Sequence, residues 1–315
     1  IGPHLTRVAK AGLSMLDIQS FHEPESGTWT HLVADKTRKS AAVIDPVWVY
    51  DPVSGAADDA FIGRVLDAAR EAAYRIEWVL ETHAHADHLT AADLLRRRTG
   101  ARIACGHGIR QVQKTFARAF DMHYAATDGS QFDRLLAEGD VIALGELEIR
   151  VIETPGHTAD SITYLVEDAA FVGDTLFAPA FGTARCDFPG GDAGQLYDSI
   201  ARIHALPEHT RIHLCHDYPK AGAAPVCVIS VAQSRRDNVH VREGTTRAEF
   251  VAMREARDAQ LGLPRLILPS LQVNILAGAA PRPEANGVSY LRTPFNRPLA
   301  ELIGAADQRS EGEQP

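Results

Sequence analysis

The sequence predicts an α/β (α+β) fold in which two mixed sheets pack together and helices cover their outer faces. Short apolar runs bounded by turn residues, which are typical of strands, alternate with segments whose apolar residues recur at helical spacing. Several predicted strands end in clusters of polar residues, the place where open sheets present their chemistry. No repeat of fixed period and no low-complexity linker interrupts the 315 residues, so we expect a single layered domain.

The first half of the chain predicts most of one sheet and the helices that pack on it. Alternating or continuous apolar runs predict strands at residues 16–21, 29–34, 41–45, 76–80 and 101–105. Helical spacing predicts helices at residues 59–74, 89–98 and 110–120. These elements account for one sheet and one layer of helices.

The second half predicts the second sheet. A strand, a glycine turn and another strand are expected at residues 141–154, with further strands at 161–167 and 169–172. Residues 211–215 are interpreted as the last strand of this sheet. The predicted helix at 195–206 has four residues along one side, namely Leu196, Ile200, Ile203 and His204.

The organisation of the single domain follows from these elements. We expect a core of about residues 16–230, a helical and apolar extension at 231–304 that packs on the core, and a disordered tail at 305–315. Residues 245–249 resemble an N-cap followed by an acidic first turn of a helix. Three residues of that helix would face the body of the domain, namely Phe250, Met253 and Ala256.

Composition excludes several classes of function. The formal charge of -9 argues against a nucleic-acid or anionic-membrane partner, because both require a basic face. No apolar run approaches the roughly 18 residues that a membrane span needs. The four cysteines are sparse and lack C-x-x-C spacing, so we expect reduced thiols in a cytoplasmic enzyme rather than a disulfide scaffold or zinc knuckle.

The sequence at residues 83–88 has the pattern H-x-H-x-D-H. It contains His83, His85, Asp87 and His88 directly after the predicted strand at 76–80. Neutral imidazole and carboxylate are ligands that divalent zinc, iron and manganese prefer, and a loop after a strand lets several of them converge. A metal site is therefore predicted, and the alternative is a polar loop that is merely rich in histidine.

Three further residues follow predicted strands in the order His, Asp, His. These are His157 in the sequence TPGHT, Asp174 in VGDT and His216 in CHDY. With the H-x-H-x-D-H segment, this order of motifs resembles the metallo-beta-lactamase superfamily over roughly residues 16–220. The resemblance implies an αββα sandwich with a metal site at one edge of both sheets.

The same positions serve two chemistries within that superfamily. In binuclear hydrolases of the glyoxalase II kind, the equivalents of His83, His85 and His157 hold one metal, and the equivalent of Asp174 bridges it to a second metal. The other ligands of that second metal are the equivalents of Asp87, His88 and His216. In persulfide dioxygenases a single iron is held by the equivalents of three residues, namely His83, His157 and Asp174.

The dioxygenase arrangement suits a reaction between two small molecules. Two histidines and one carboxylate on one face of an iron leave three adjacent positions open. The remaining donors would then orient the ligands and water by hydrogen bonds, as groups outside the metal shell. The residues in this supporting role, or in a vacated second metal site, are His85, Asp87, His88 and His216.

The segment after Asp174 favours the dioxygenase group. Arg185 is followed two residues later by Asp187-Phe188, which looks like the persulfide dioxygenase signature, whereas glyoxalase II has a different sequence there. Residues 44–47 and 266–274 look like bacterial members of the same group. One departure is Ala277, which stands where some relatives carry a cysteine, so a sulfur relay through that position is excluded.

Three residues are candidates for substrate binding, namely Arg185, Tyr197 and Tyr218. The resemblance places Arg185 near the mouth of the site, where it could meet a carboxylate of glutathione. Its alternative role is a structural pair with Asp187 or a backbone carbonyl, and each tyrosine is otherwise a partly buried aromatic with a satisfied hydroxyl. Cys186 lies close in sequence, but a buried thiol is usually a small hydrophobe.

We therefore expect a persulfide dioxygenase with one Fe(II) per chain. It would use glutathione persulfide and O2 as substrates and produce sulfite and glutathione, and by analogy it would form a homodimer. The first alternative is a zinc-type binuclear thioester hydrolase, which would need two metals and no oxygen. The second is a non-enzymatic sulfur or redox sensor, which predicts missing ligands, whereas every ligand is present here.

Overall fold

The computed structural model describes residues 14–219 and 222–303. Within these residues the strands are, in chain order, β1 (Leu16–Glu23), β2 (Thr28–Asp35), β3 (Ser40–Ile44), β4 (Val47–Asp51), β5 (Ala56–Asp58), β6 (Arg75–Leu80), β7 (Leu89–Thr90), β8 (Arg102–Gly106), β9 (Arg134–Leu136), β10 (Val141–Leu144), β11 (Leu147–Glu153), β12 (Ile162–Val166), β13 (Ala169–Phe171), β14 (Arg211–His213) and β15 (Val228–Ser230). The helices are α1 (Ala60–Glu71), α2 (Ala92–Thr99), α3 (Ile109–Ala119), α4 (Ala193–His204), α5 (Val231–Asp237), α6 (Arg247–Asp258) and α7 (Ile267–Asn274). The tail predicted at 305–315 lies outside the described residues.

Two six-stranded mixed sheets form the body of the protein. The first has the strand order β1-β2-β3-β6-β8-β9, with antiparallel pairing up to β3 and parallel pairing beyond it. The second has the order β10-β11-β12-β13-β14-β15, with β13 and β14 parallel. A small antiparallel sheet, β5-β4-β7, lies beside them. The predicted architecture of two mixed sheets with outer helices is confirmed.

Three apolar clusters hold these layers together. Between the sheets, side chains such as Val33, Leu80 and Tyr164 are fully buried. A second cluster joins the outer face of the first sheet to α1, α2, α3 and α7. A third joins the second sheet to α4 and α6, with Leu196 and Phe250 at its centre. The layer order is therefore helix, sheet, sheet, helix, because each sheet buries both of its faces.

The sequence missed several short strands. The first turn of the predicted helix at 89–98 is instead β7, because Leu89 and Thr90 pair with Val47 and Trp48 of β4. The strand at 211–215 is not the last of its sheet, since β15 pairs with its outer side. The sequences of β4, β5, β9 and β15 show no clear alternation of apolar and polar residues. These segments are strands because their backbones pair with neighbouring strands. None of the described helices is both long and apolar enough to cross a membrane.

Helix α6 begins as predicted but presents a different face. The Thr246 side chain accepts a hydrogen bond from the Glu249 backbone N–H, and the Glu249 carboxylate accepts one from the Thr246 backbone N–H. Phe250 is buried and Met253 partly buried, whereas Ala256 is exposed. Two other residues take the inner positions, namely Arg254 and Asp258, which form a buried ion pair.

The capping box of α6 provides a first test of local stability. Thr246→Ala should lower the free energy of unfolding by about 1 kcal/mol, because the orphaned N–H of Glu249 loses its acceptor. Urea unfolding measures this change. The control is Thr245→Ala one residue earlier, which leaves the cap intact; equal destabilisation by both substitutions would contradict the capping role.

Candidate metal centre

The predicted motifs meet at one edge of the two sheets. The segment after β6 turns across from the first sheet to the second, where the Thr82 carbonyl accepts a hydrogen bond from the Ile162 N–H. His157 follows β11, Asp174 follows β13 and His216 follows β14. Side chains that are 133 residues apart in sequence, from His83 to His216, thereby converge.

One group of donors consists of His83, His157 and Asp174. Their candidate ligand atoms all lie within 4.8 Å of one another. Asp174 Oδ2 is 3.9 Å from His83 Nε2 and 3.7 Å from His157 Nε2. The other nitrogen of each ring contacts a nearby oxygen, since His83 Nδ1 is 3.1 Å from Thr82 Oγ1 and His157 Nδ1 is 2.7 Å from the Arg185 carbonyl. Both rings are thus oriented with Nε2 toward the carboxylate.

The second group consists of His85, Asp87, His88 and His216, also within 4.8 Å of one another. His216 Nε2 lies 3.3 Å from Asp87 Oδ2 and 3.3 Å from Asp174 Oδ1. Asp174 therefore faces both groups, with one carboxylate oxygen toward each. Thr28 Oγ1 lies near the Nδ1 atoms of His88 and His216, which leaves their Nε2 atoms directed at the group.

Unpaired donor atoms show that this cluster fits a cation. Five buried atoms of the cluster find no hydrogen-bond partner among the described residues, namely His85 Nδ1, Asp87 Oδ2, His88 Nε2, Asp174 Oδ1 and His216 Nε2. Buried polar atoms normally have partners, so a concentration of unsatisfied ones calls for an ion or ordered water. Imidazole nitrogens and carboxylate oxygens in this proportion suit a divalent transition metal.

The directions of the pKa shifts of three of these donors, His83, His85 and Asp87, also favour metal binding. Burial, followed by repulsion from the neighbouring histidines, holds the pKa of His83 and of His85 well below the usual range for histidine. Burial alone would raise the pKa of Asp87, but attraction to His216 and His88 outweighs it and keeps that pKa well below its usual range. Neutral imidazoles beside a carboxylate are the forms that ligate metals.

Buried hydrogen bonds hold the histidine loop in place from behind. Asp45 accepts hydrogen bonds from the Thr82 backbone and hydroxyl, and its Oδ1 lies 3.1 Å from His85 Nε2. Asp160 accepts from the Ala84 N–H at 2.8 Å. These carboxylates act through the loop and its rings, as supporting partners of candidate ligands do.

Asn274, at the end of α7, clamps the same loop from the C-terminal extension. Its Nδ2 donates to the carbonyls of His85 and His88 at 2.7 and 2.8 Å, and its Oδ1 accepts from the Thr90 N–H at 2.9 Å. The side chain is buried. Neither Asn274 nor Asp45 was predicted as a site residue, although both stood in segments that carried the family resemblance.

A cavity of about 440 Å³ opens onto the first group of donors. His83, His157 and Asp174 line it, and Asp87 is the one member of the second group that reaches it. Four aromatic side chains also line it, namely Phe177, Phe181, Phe188 and Tyr218. The extension completes it with residues of α6 and of the loop that follows, namely Arg254, Arg257, Leu261, Pro264 and Arg265.

The predicted substrate residues are placed differently from one another. Tyr218 lines the cavity and stacks on His216, with ring centroids 5.8 Å apart. Arg185 also lines it, but its guanidinium is paired with Asp187 and donates to the Gly262 carbonyl, which is the structural role considered as its alternative. Tyr197 is absent from the cavity, so that prediction is wrong. Its hydroxyl donates to the Thr245 carbonyl and its ring packs on Phe250.

Cys186 is a core residue. It is 8% exposed, belongs to the apolar cluster of α4 and α6, and does not line the cavity. Burial, followed by the charge of Asp258, raises the pKa of its thiol to about 12. A protonated, buried thiol is unreactive, which agrees with its interpretation as a small hydrophobe.

Comparison with known proteins agrees with this geometry. The family model described as the metallo-beta-lactamase superfamily matches residues 25–216. The chain is 48% identical over 292 residues to a Burkholderia pseudomallei protein named "Probable metallo-hydrolase", with 89% of this chain and 99% of that protein covered. It is 31% identical over 220 residues to the Bos taurus protein "Persulfide dioxygenase ETHE1, mitochondrial", with 69% and 74% covered. The crystal structure of ETHE1 from Myxococcus xanthus superposes with a TM-score of 0.67 at 32% identity, covering 84% of this chain and 100% of that one.

Proposed function

This chain belongs to the metallo-beta-lactamase superfamily, and from that premise we propose that it is an iron(II)-dependent persulfide dioxygenase. In the proposed reaction, glutathione persulfide, dioxygen and water give glutathione and sulfite. The terminal sulfur loses four electrons to dioxygen, and the sulfur-sulfur bond breaks. The iron would be held by His83, His157 and Asp174.

The proposal rests on which of the candidate metal ligands line the cavity. The three residues of the first group line the cavity, whereas His85, His88 and His216 are at most 1% exposed and do not line it. A substrate entering the cavity therefore meets the complete two-histidine, one-carboxylate set, but of the second group it can reach only Asp87. Three protein ligands leave open positions for two small reactants, which is the arrangement of non-haem iron oxygenases.

Similarity to known proteins supports the same assignment. The Bos taurus relative is named a persulfide dioxygenase, and the likeness covers 74% of its length. The segment from Asp174 to Phe188, which resembles the dioxygenase signature, forms one side of the cavity through Phe177, Arg185 and Phe188. The signature and the cavity thus coincide.

When bound, iron supplies the one-electron steps that allow dioxygen in its triplet ground state to react with a thiol persulfide. The protein residues orient and shield the reactants. Thr82 and the Arg185 carbonyl fix the ring orientations of His83 and His157. The aromatic rings of Phe177, Phe181 and Phe188 give the cavity an apolar wall beside the candidate iron ligands.

The outer part of the cavity suits an anionic thiol. Of the arginines that line it, Arg185 and Arg254 are paired with Asp187 and Asp258. Arg257 and Arg265 line the same cavity from the extension, and neither forms an ion pair with the described residues. In a chain of net charge -9, two unpaired guanidiniums beside a cavity attract carboxylates.

Substitution of these two arginines tests the proposed substrate class. The double variant Arg257→Gln, Arg265→Gln should raise the KM for glutathione persulfide by roughly 10- to 100-fold, on the order of 1.4 to 2.7 kcal/mol. The kcat should change little, since neither guanidinium contacts the three candidate iron ligands. Steady-state oxygen uptake measures both constants.

Two controls accompany that measurement. Arg118→Gln removes an exposed arginine of α3 that does not line the cavity, and should leave KM unchanged. A small persulfide without carboxylates should be turned over equally by the wild type and the double variant. An unchanged KM for glutathione persulfide in the double variant would contradict the role of the arginine pair.

The second candidate is a binuclear thioester hydrolase. It is favoured by the unpaired atoms of the second group, which with Asp174 Oδ1 could hold another ion. It is also favoured by the name of the Burkholderia relative. Two metals sharing Asp174 would generate a hydroxide near neutral pH, with no requirement for oxygen.

Substrate turnover separates the two candidates. The purified protein should consume dioxygen and release sulfite when glutathione persulfide is added, and should not hydrolyse S-lactoylglutathione. Hydrolysis of the thioester without oxygen uptake would overturn the dioxygenase proposal in favour of the hydrolase.

A further inference from the structure

A separate group of donors lies between the sheets, away from the cavity. It consists of His31 on β2, His213 on β14 and Cys227 just before β15. One ligand atom from each residue lies within 4.8 Å of the other two. None of the three lines the cavity of the candidate metal centre.

His213 is the anomalous member of this group. It is 3% exposed, and neither ring nitrogen has a hydrogen-bond partner within residues 14–219 and 222–303. One ring nitrogen of a neutral imidazole is a hydrogen-bond donor and the other is an acceptor. In His213 both are buried without a partner, which costs free energy of folding and is uncommon in proteins. Burial, followed by repulsion from His31, lowers its pKa to about 2, so the ring is neutral and its lone pair is available.

His31 already has the orientation of a metal ligand. Its Nε2 lies 3.1 Å from the Leu214 carbonyl, to which it donates as N–H, and Nδ1 then carries the lone pair. A ligating histidine characteristically donates its second nitrogen to such a carbonyl. Nδ1 lies 2.8 Å from Ser20 Oγ, a hydroxyl that can rotate away when an ion arrives.

Cys227 adds a thiolate donor and a route from solvent. It is partly buried, in contrast to His31 and His213, so an ion could enter on its side. Burial raises the pKa of its thiol to about 11, while a hydrogen bond from Ser20 opposes the change. Binding of a cation must therefore displace the thiol proton, as it does at cysteine ligands generally.

We propose that His31, His213 and Cys227 form a second metal site, specific for a borderline-soft cation of the Zn²⁺ type. Two neutral imidazoles and one thiolate are a donor set that zinc prefers, and Ser20 Oγ or water is available as the fourth ligand. The site contrasts with the candidate metal centre, whose two donor groups contain nitrogen and oxygen only. An ion here would join strands of both sheets, β2 and β14, and would stabilise the sandwich rather than react with substrate.

Cobalt provides a readout that is specific to the thiolate. Co²⁺ is added anaerobically to the purified iron-loaded protein, and the near-ultraviolet thiolate-to-cobalt charge-transfer absorption is recorded. The wild type should bind one Co²⁺ in this way, and Zn²⁺ should displace it. Cys227→Ser and His213→Phe should each lose the band, while oxygen uptake with glutathione persulfide remains.

A matched cysteine control separates this site from the candidate metal centre. Cys215 lies near Asp174 and His216, so a cobalt ion bound there could also contact a sulfur. Cys215→Ala should therefore keep the band. A band lost in Cys215→Ala and kept in Cys227→Ser, or no band in the wild type, would overturn the proposal.

Thermal unfolding supplies an independent measurement. Zn²⁺ should raise the Tm of the wild type and of Cys215→Ala by more than that of His213→Phe, in which a phenyl ring keeps the stacking on Phe171. Equal shifts in wild type and His213→Phe would also overturn the site. Neither measurement depends on persulfide turnover, so the outcome is independent of the proposed dioxygenase activity.

Discussion

Replacing Asp174 with alanine should abolish iron binding and oxygen uptake, whereas His216→Ala should leave most of the iron in place. Asp174 supplies the negative charge of the first donor group and contacts both of its histidines. His216 belongs to the second group, so its loss should act as loss of a supporting residue does, roughly 10- to 100-fold in affinity or activity.

Metal content of the two variants, measured after anaerobic purification, checks this expectation. Far-ultraviolet circular dichroism of each variant shows whether the fold is retained. Equal loss of metal from both would indicate that the two donor groups act together, as in a binuclear hydrolase, and would contradict the separation of roles.

Asn274→Ala should cause a large loss of stability although it leaves every candidate ligand intact. The substitution removes three buried hydrogen bonds and leaves the Thr90 N–H and the carbonyls of His85 and His88 without these partners. At about 1–3 kcal/mol for each unsatisfied group, the free energy of unfolding should fall by at least about 3 kcal/mol. The loop that carries the histidines should loosen, and iron affinity should decrease with it.

Urea unfolding and iron titration measure the two effects of that change. Asn286→Ala is the control, because the Asn286 side chain is exposed and, in the part of the chain that the structure describes, hydrogen-bonds only to Tyr290 and to the Val288 N–H. Its effect should remain within about 0.5 kcal/mol. Equal stability of the two variants would show that Asn274 does not clamp the loop.

The sequence was sufficient for the elements whose patterns are local. The apolar runs of β1, β2, β3 and β6 and the helical spacing of α1 and α3 each fit one type of element, and the structure has them within a few residues. The donor motifs were recognisable for the same reason, since H-x-H-x-D-H is dense enough to stand out.

Partners distant in sequence could not be predicted in this way. Asn274 meets the His85 carbonyl across 189 residues, and nothing in the local sequence of α7 indicates that contact. Tyr197 was placed wrongly because the sequence of α4 does not show which element packs against a given side of that helix. The side that carries Tyr197 packs on α6 and not on the cavity. Arg185 lies at the cavity as expected, but only the structure shows that its guanidinium forms an ion pair with Asp187.

The C-terminal extension has a larger role than its composition indicated. The sequence predicted only that it would pack on the core. Through α6 it supplies Arg254 and Arg257 to the cavity, and through α7 it holds the histidine loop. The buried pair of Arg254 and Asp258 also fixes the segment after Asp174, because it hydrogen-bonds the Thr183 carbonyl and the Cys186 N–H.

The number and identity of metal ions per chain test the proposed function most directly. Protein purified anaerobically should contain one iron per chain, held by two imidazoles and one carboxylate, and should consume oxygen as soon as glutathione persulfide is added. Two zinc ions per chain, with no oxygen uptake on addition of the persulfide, would contradict the mononuclear dioxygenase.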